Sequence, residues 1–198
     1  MANIVENYVS NNYQKSKTKK QIILTHTSRN ITDYLNSVLY RNNGDYDKVP
    51  NFVISRNGDV YKLLPDNAYT NFFKKTDMNK NSVIISLENL GWLEKIPIET
   101  GFVNWIGDIY NGPVFEKKWR DYFFWHPYTS SQLEITVELC NMICEEVSIK
   151  KDFIGHNTKI NGIERFEGII SRSNLESECT DLSPSFEFEN FTKKIKNE

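Results

Sequence analysis

Apolar and polar positions recur with two different periods along the chain, and each period predicts one kind of secondary structure. Short apolar runs ending on a polar residue predict buried strands at residues 20–26, 82–88 and 152–156. Alternating apolar residues over 51–64, interrupted by Asn57-Gly58, predict a β-hairpin with a two-residue turn. These segments supply the strands of one sheet, and the hairpin makes at least one pair of them antiparallel.

Apolar residues spaced three and four apart predict amphipathic helices. The first covers 31–42, with Asn30 as its N-cap, and the second covers 130–147, where Thr129 opens a capping box. A last helix is expected after Pro184. Because strands, helices and a hairpin succeed one another, we predict an α/β fold with a mixed central β-sheet flanked by helices.

Two segments have a less regular pattern. Residues 97–120 are rich in Gly, Trp and Tyr and predict an excursion with its own hairpin around Asn111-Gly112. Residues 157–180 are polar and show no clear period. The length suggests one domain over 1–198, with residues 1–18 as a flexible N-terminal segment.

Composition adds limits to this picture. The net charge of -2 provides no general attraction for nucleic acid, and the basic run from Lys15 to Lys20 is predicted to be solvated. We expect no membrane insertion and no secretory signal, hence synthesis in the cytoplasm, and a monomer. The three cysteines, Cys140, Cys144 and Cys179, are an odd number, and the first two suit buried thiols of one helix.

The candidate chemistry begins with the histidines. His26 and His156 each end a predicted strand, where sites on α/β sheets are usually built. Two imidazoles and one carboxylate form a catalytic zinc set whose fourth position stays open for water. The chemistry alone does not choose the carboxylate among 26 acidic residues. His126, just before the second helix, is predicted to be structural or to line a groove.

Six segments, in order between residues 20 and 191, resemble those of the zinc-dependent N-acetylmuramoyl-L-alanine amidases, a family that includes peptidoglycan-recognition proteins and phage lysozyme-like amidases. Each segment is unspecific alone, whereas the ordered set is specific. The segments are IILTHTSRN, NFVISRNGDVYKLLPDNAYTNF, NKNSVIISLENLG, PYTSSQLEITVELC, FIGH and TDLSPSFEFENF.

The resemblance implies a peptidoglycan-recognition-protein-like fold and a Zn²⁺ ion held by His26, His156 and Asp181. It also implies hydrolysis of the amide bond between N-acetylmuramic acid and L-alanine in peptidoglycan. Cys179 is the competing third ligand, because thiolates bind zinc well. The TDLSPSF frame places Asp181 in register instead, and Cys179 falls where the family often has a lysine.

The chain departs from the family at the general base. Ser86 occupies the position where many members have a glutamate. Glu88 lies two residues on and therefore on the same face of the strand, so it is our candidate for the catalytic base. The alternative for Glu88 is a solvent or edge carboxylate. Pro50 occupies the position of a tyrosine that serves other members as base.

A second departure is the missing lysine at Cys179, which would stabilise the oxyanion. Arg165, Arg172 or Lys159, from the long segment before Asp181, are possible replacements. The excursion carries aromatic residues that are candidates for the wall of a glycan or peptide groove, with core packing as the alternative for at least half of them. They are Trp105, Tyr110, Trp119 and Trp125.

A peptidoglycan substrate combined with no secretory signal is typical of a phage endolysin released through a holin, or of a virion-associated lysin. A cytoplasmic enzyme that recycles muropeptides fits as well, and we favour the phage lysin. The alternative from another class is a non-catalytic peptidoglycan-binding module of the same fold.

Overall fold

The computed structural model describes residues 4–6, 12–97 and 101–196. The strands in these ranges are β1 (Ile4–Glu6), β2 (Gln14–Lys15), β3 (Gln21–His26), β4 (Phe52–Ile54), β5 (Val60–Lys62), β6 (Ala68–Tyr69), β7 (Ser82–Leu87), β8 (Trp92–Lys95), β9 (Phe102–Asn104), β10 (Ile109–Tyr110), β11 (Phe115–Trp119), β12 (Tyr122–Trp125) and β13 (Gly168–Ser171). The helices are α1 (Ile31–Tyr40), α2 (Thr76–Asn81), α3 (Ser130–Val147), α4 (Arg172–Leu175) and α5 (Phe188–Lys196), with 3-10 turns at Arg41–Gly44 and Ile163–Arg165.

A six-stranded mixed sheet lies at the centre, in the order β1-β5-β4-β7-β3-β13. β3 runs parallel to β7 and β13, whereas β4 and β5 are antiparallel, as the hairpin pattern predicts. The predicted α/β fold with a mixed central sheet is therefore confirmed. Every residue of β3 and β7 is buried, which explains why continuous apolar runs, and not alternation, mark these strands.

Helices cover both faces of this sheet. On one face, Leu24 of β3 packs in a cluster with Leu139 of α3 and Phe191 of α5. On the other face, Ile23 of β3 packs with Met78 of α2, and α1 covers a neighbouring cluster over β4. Because β3 and β7 are parallel, their carboxyl ends leave the sheet at the same edge. The candidate site lies at this edge.

The predicted helix starts are confirmed. The Asn30 side chain accepts a hydrogen bond from the Asp33 backbone at 2.9 Å. Thr129 and Gln132 each accept a 3.1 Å bond from the other's backbone N–H, which is a capping box. α1 ends at Tyr40, two residues before the predicted end. Within the described ranges, no helix combines the length and the apolar character that crossing a bilayer requires.

The hairpin between β4 and β5 forms, but its predicted two-residue turn is wrong. Ser55 N donates to Asp59 O at 2.9 Å, and Gly58 N donates to Ser55 O at 3.0 Å. The loop therefore has three residues, Arg56 to Gly58. Gly58 adopts a positive φ of 91°, whereas Asn57 does not, so the two successive left-handed residues of a type I′ turn are absent from this loop.

The excursion is a separate five-stranded antiparallel sheet, in the order β10-β9-β8-β12-β11, and its hairpin is not around Asn111-Gly112 as predicted. The turn lies between β9 and β10, where the Asn104 side chain accepts bonds from the backbone N–H groups of Ile106 and Asp108. Gly107 supplies the positive φ of 92°. This asparagine-organised turn replaces the predicted one, and Asn111-Gly112 links β10 to β11.

The predicted strand over 152–156 is also wrong. In this segment only Phe153 forms a bridge, to Ile169. The strand beside β3 is β13, inside the segment without a clear period, and four residues of it pair with β3. β13 is fully buried, so it lacks the alternation that marks a half-buried strand. His156 therefore follows a single bridge and does not end a strand.

The predicted flexible segment 1–18 falls partly outside the described residues. Within those described, 4–6 pairs in parallel with β5, and 14–15 pairs with β6. Lys19, in the basic run predicted to be solvated, is buried instead. Its ammonium donates to the carbonyls of Ala68 at 3.0 Å and Ser82 at 2.9 Å. Burial lowers the pKa of Lys19 from 10.5 to about 8.

We predict that Lys19 makes stability rise with pH. Between pH 8 and 10.5 the folded Lys19 has released its proton while the unfolded one keeps it. The free energy of unfolding therefore increases across this window, by up to about 3 kcal/mol at about 1.4 kcal/mol per pKa unit. Urea unfolding of the wild type and Lys19→Met at several pH values measures this as the difference between the two profiles. Parallel profiles would contradict the prediction.

Candidate metal centre and its cleft

His26 and Asp181 meet at the carboxyl end of β3. His26 is the last residue of this strand, and its Nε2 lies 3.1 Å from Asp181 Oδ1. Both residues are buried, with 8% and 4% of their surface exposed. The structure therefore brings together two of the three predicted ligands, from positions 155 residues apart in sequence.

The second carboxylate oxygen of Asp181 is held by groups of the surrounding chain. Thr25 Oγ1 donates to Oδ2, the His26 backbone N–H lies 3.5 Å away, and Arg172 NH1 lies 3.6 Å away. Burial alone would raise the pKa of Asp181, but the neighbouring His26 and Arg172, with these hydrogen bonds, hold it below its usual range. Asp181 is therefore ionised, with Oδ1 directed at His26.

His26 is fixed from its other side. The Tyr128 hydroxyl lies 3.5 Å from Nδ1, which leaves Nε2 for Asp181 or a ligand. Gly91 passes so close that a Cβ atom there would lie 3.2 Å from the imidazole ring. Burial lowers the pKa of His26 and thereby favours the neutral imidazole, although the carboxylate of Asp181 opposes this effect. A neutral imidazole and an ionised carboxylate are the forms that bind metal ions.

The ring of His156 is exposed, and its Nδ1 accepts from the Thr158 backbone at 3.2 Å. The adjacent Asn157 donates to the carbonyl of Leu182 at 3.0 Å, so the backbone beside His156 is tied to the backbone beside Asp181. Among the described residues, no group of three or more His, Cys, Asp or Glu side chains converges as a metal site. The structure does not bring His156 into the pair.

The geometry of the pair fits a zinc ion. Two ligand atoms at about 2.0–2.2 Å from tetrahedral zinc lie about 3.3–3.6 Å from each other, slightly farther apart than the 3.1 Å between Nε2 and Oδ1. Imidazole nitrogen and carboxylate oxygen are both ordinary zinc ligands. His26 and Asp181 therefore fit two corners of a zinc site. The third predicted ligand, His156, would have to move its side chain to reach the same ion.

Cys179, the competing third ligand, has another partner. Its Sγ donates to Glu176 Oε2 at 3.2 Å. Burial raises the pKa of the Cys179 thiol to about 12, which disfavours the thiolate that binds metals. Asp181, and not Cys179, is the residue in contact with His26.

A cavity of about 290 Å³ opens beside His26. Tyr34 of α1 and Arg172 of α4 line it, together with Trp105 from the turn between β9 and β10. Trp105 is 52% exposed. Three elements that are distant in sequence thus form the walls of the cavity beside His26.

Arg172 is the only one of the three predicted replacement cations that lines this cavity. It ion-pairs with Glu176 at 2.7 Å as well as approaching Asp181. Lys159 donates to the Leu175 carbonyl instead, and Arg165 is exposed on the 3-10 turn. Among these candidates, Arg172 is placed to act on a group bound beside His26.

Glu88 lies at the predicted edge, but its carboxylate is already hydrogen bonded. Oε1 accepts from the Ile31 backbone at the start of α1, at 2.9 Å, and Oε2 accepts from the Arg56 backbone at 2.8 Å. A carboxylate at a helix N-terminus is favourable because it satisfies an N–H without an intrahelical partner. These contacts favour the alternative of an edge carboxylate, and the role of general base stays a prediction.

Tyr34 was not selected from the sequence, although it borders the position of the missing glutamate. Ser86 Oγ is buried and, among the described residues, has no hydrogen-bond partner of normal geometry. The Tyr34 hydroxyl approaches it, and burial raises the pKa of Tyr34, so the phenol stays protonated. The only signal in the sequence was the apolar face of α1, which marks Tyr34 as a core residue.

The other aromatic candidates lie away from the cavity. Trp125 is fully buried and packs against Trp119, with ring centroids 5.4 Å apart. Tyr110 packs edge-on against His126, whose Nδ1 accepts from the Leu90 backbone at 3.2 Å. Burial lowers the pKa of His126 to about 3, and the charge of nearby Arg56 adds to this. His126 contacts suit its predicted structural role.

The comparisons with known proteins point to one family. Residues 14–167 match the sequence profile described as N-acetylmuramoyl-L-alanine amidase. None of the curated proteins compared with the chain matches it. The matched range contains His26 and His156 and ends before Asp181, so the choice of Asp181 rests on its contact with His26 and on the sequence frame.

Solved structures with a similar fold include two N-acetylmuramoyl-L-alanine amidases and a hydrolase. The Escherichia coli amidase AmiD has a TM-score of 0.55 and 14% identity, and the match covers 91% of this chain and 58% of AmiD. The endolysin LysCS of Clostridium intestinale has a TM-score of 0.54 and 15% identity, covering 99% and 97%. Staphylococcus aureus AmiA has a TM-score of 0.58 and 10% identity, covering 98% and 82%.

At these identities the structural similarity shows the fold, and the family is shown by the sequence profile. The profile covers well over half of the 198 residues. Fold and profile agree with the resemblance carried by the six ordered segments. The chain belongs to the N-acetylmuramoyl-L-alanine amidase family.

Proposed function

We propose that this chain is a zinc-dependent amidase that hydrolyses the bond between N-acetylmuramic acid and L-alanine in peptidoglycan. The observation that carries the proposal is the buried pair of His26 and Asp181 beside a cavity lined by hydrogen-bond donors. The AmiD structure contains the substrate anhydro-N-acetylmuramic acid-L-Ala-D-γ-Glu-L-Lys, which includes the amide bond in question. The match spans 58% of AmiD, so its activity reaches this chain only as part of the proposal.

The proposed ligands are His26 Nε2, Asp181 Oδ1 and the imidazole of His156. The tie from Asn157 to the Leu182 carbonyl supports the third assignment, because it holds the His156 backbone beside that of Asp181. When bound, zinc would polarise the scissile carbonyl and acidify a water molecule. Thr25 and Arg172, by holding Asp181 Oδ2, leave Oδ1 free to face the site.

Two side chains of the cavity are suited to the developing negative charge on the carbonyl oxygen. The Arg172 guanidinium carries a permanent positive charge, and the Tyr34 hydroxyl is a protonated donor. Donors fixed before the reaction stabilise an oxyanion without reorganising. Arg172 thereby takes the role of the family lysine that Cys179 replaces, from a position seven residues earlier in the chain.

The proposal includes the role of a phage lysin acting on the cell wall. This chain and the Clostridium endolysin match over nearly their full lengths, 99% and 97%. The proposal keeps the predicted monomer. The substrate partner is the muropeptide or the intact wall.

The first prediction concerns zinc and activity together. We expect about one zinc per chain after dialysis, and loss of amidase activity on chelation that returns with zinc. His26→Ala and Asp181→Asn should lose bound zinc and at least about 10³-fold in activity, because each removes a ligand. Metal analysis and release of new L-alanine amino termini from purified walls measure the two effects.

Cys179→Ser is the matched control and should keep both zinc and activity, since its thiol bonds to Glu176. A His26→Ala protein that retained its metal and its lytic activity would contradict the ligand assignment. Stoichiometric zinc without release of amino termini, on walls of several chemotypes and at several pH values, would instead favour the peptidoglycan-binding module.

The second prediction concerns Arg172. Arg172→Gln should lower kcat by about 10²-fold with little change in KM, because the guanidinium acts on charge that develops in the transition state. Arg165→Gln, an exposed arginine of the same segment, is the control and should leave kcat unchanged. Zinc content is measured in parallel. An Arg172→Gln protein with bound zinc and wild-type kcat would rule out the proposed role.

The third prediction separates the two roles of Glu88. Glutamine can replace only one of the two acceptors, so Glu88→Gln should lower the free energy of unfolding by about 1–3 kcal/mol and kcat by less than about tenfold. Urea unfolding and steady-state kinetics measure both, with the exposed Glu94→Gln as control. A fall in kcat of about 10²–10⁴ at unchanged stability would identify Glu88 as the general base.

A further inference from the structure

The cavity beside His26 is one part of a longer cleft. A second cavity, of about 610 Å³, shares Lys48, Phe72 and Arg172 with the first. We call the 290 Å³ cavity the inner cleft and the 610 Å³ cavity the outer cleft. His26 lines only the inner cleft, so a substrate cut there would place the groups nearest its scissile bond in the inner cleft.

The inner cleft has an excess of positive charge. Arg29, Arg41, Lys48 and Arg172 line it, and no Asp or Glu side chain does. Arg172 is offset by Asp181 and Glu176. Among the described residues, no carboxylate lies within ion-pair distance of the other three. Their charge is therefore available to a ligand, and the walls of a cleft concentrate such a field.

One of these cations is held in place. The Arg41 guanidinium stacks on the Tyr46 ring, 4.7 Å from its centroid, and its NH1 lies 3.4 Å from the Tyr46 hydroxyl. Tyr46 also lines the inner cleft. An arginine fixed on an aromatic ring loses less side-chain freedom when it binds an anion.

The outer cleft differs in charge. Three carboxylates line it, Asp47, Glu176 and Glu178, and they balance the three cations Lys48, Lys74 and Arg172. The excess of positive charge is therefore confined to the inner cleft, and the charge distribution assigns an anion to it.

Resting on the proposed function, we propose that Arg29, Arg41 and Lys48 form a subsite for the free α-carboxylate of a γ-linked glutamate in the stem peptide. In the sequence L-Ala-D-γ-Glu, the side-chain carboxyl forms the peptide bond, so the α-carboxylate stays free and charged. This residue is the next after the alanine at the scissile bond, within about 7 Å of it for an extended chain. The chain would therefore prefer stem peptides whose glutamate is not amidated.

The test compares two soluble substrates that differ by one group: N-acetylmuramoyl-L-Ala-D-γ-Glu-L-Lys and the same compound amidated at the α-carboxyl of its glutamate. We expect kcat/KM to be about 10- to 100-fold higher for the acid, the range of a charge-assisted hydrogen bond. Arg41→Gln, Lys48→Gln and the double variant should bring the ratio towards one by slowing the acid alone. Arg165→Gln, outside both clefts, is the control.

A binding measurement keeps this test separate from hydrolysis. Calorimetry with L-Ala-D-γ-Glu-L-Lys and its glutamate α-amide should show tighter binding of the acid to the wild type, and the difference should shrink in the double variant. Equal cleavage of both substrates would reject the subsite and leave the amidase function standing. Acid-selective binding without any cleavage would keep the subsite and reject the amidase function.

Two further outcomes would overturn the proposal. One is equal affinity of the wild type for the acid and the amide. The other is a double variant that loses binding to poly(glycerol phosphate) while its ratio for the two muropeptides stays at the wild-type value. The cations would then serve an anionic polymer of the wall.

Discussion

The contact between His26 and Asp181 joins the last residue of a central strand to a loop 155 residues later. Both groups are buried, and a buried carboxylate is costly unless charge and hydrogen bonds compensate for it. The compensation comes from Thr25, from the His26 backbone and from Arg172. The order of the strands, the position of α4 and the path of the closing loop all have to be correct for these groups to converge.

The same constraint explains the segment before Asp181. Three of its polar residues, Ser171, Ser173 and Asn174, are fully buried and bond to neighbouring backbone. Asn174 is fully buried and donates to the carbonyls of His156 and Thr158, while its Oδ1 accepts from Ser171. Ser173 donates to the carbonyl of Asp181 through both its backbone and its hydroxyl. Such residues hold the loops of His156 and Asp181 in position, and a sequence of this kind has no hydrophobic period.

The parts of the fold that could be predicted are helices with one buried face and strands that are buried along their whole length. β3, β7 and α3 were marked by apolar runs or by spacing, and their capping residues confirmed where the helices start. β13 could not be found because it is short, fully buried and embedded in polar sequence. The turn at Gly107 was missed because a side chain, Asn104, organises it from outside the Asn-Gly pair that sequence rules emphasise.

Candidate site residues could be chosen from the sequence only where they lie inside one of the six segments that resemble the family. His26, His156 and Asp181 stand in such segments, whereas the position of Arg172 depends on β13, which precedes it directly. Cys179 in place of lysine leaves room for a cation from α4, whose guanidinium is held by Glu176 and Asp181. In this chain the charge of the cleft depends on the side chains that the fold brings together at the edge of the sheet. It cannot be read from one position in a sequence alignment.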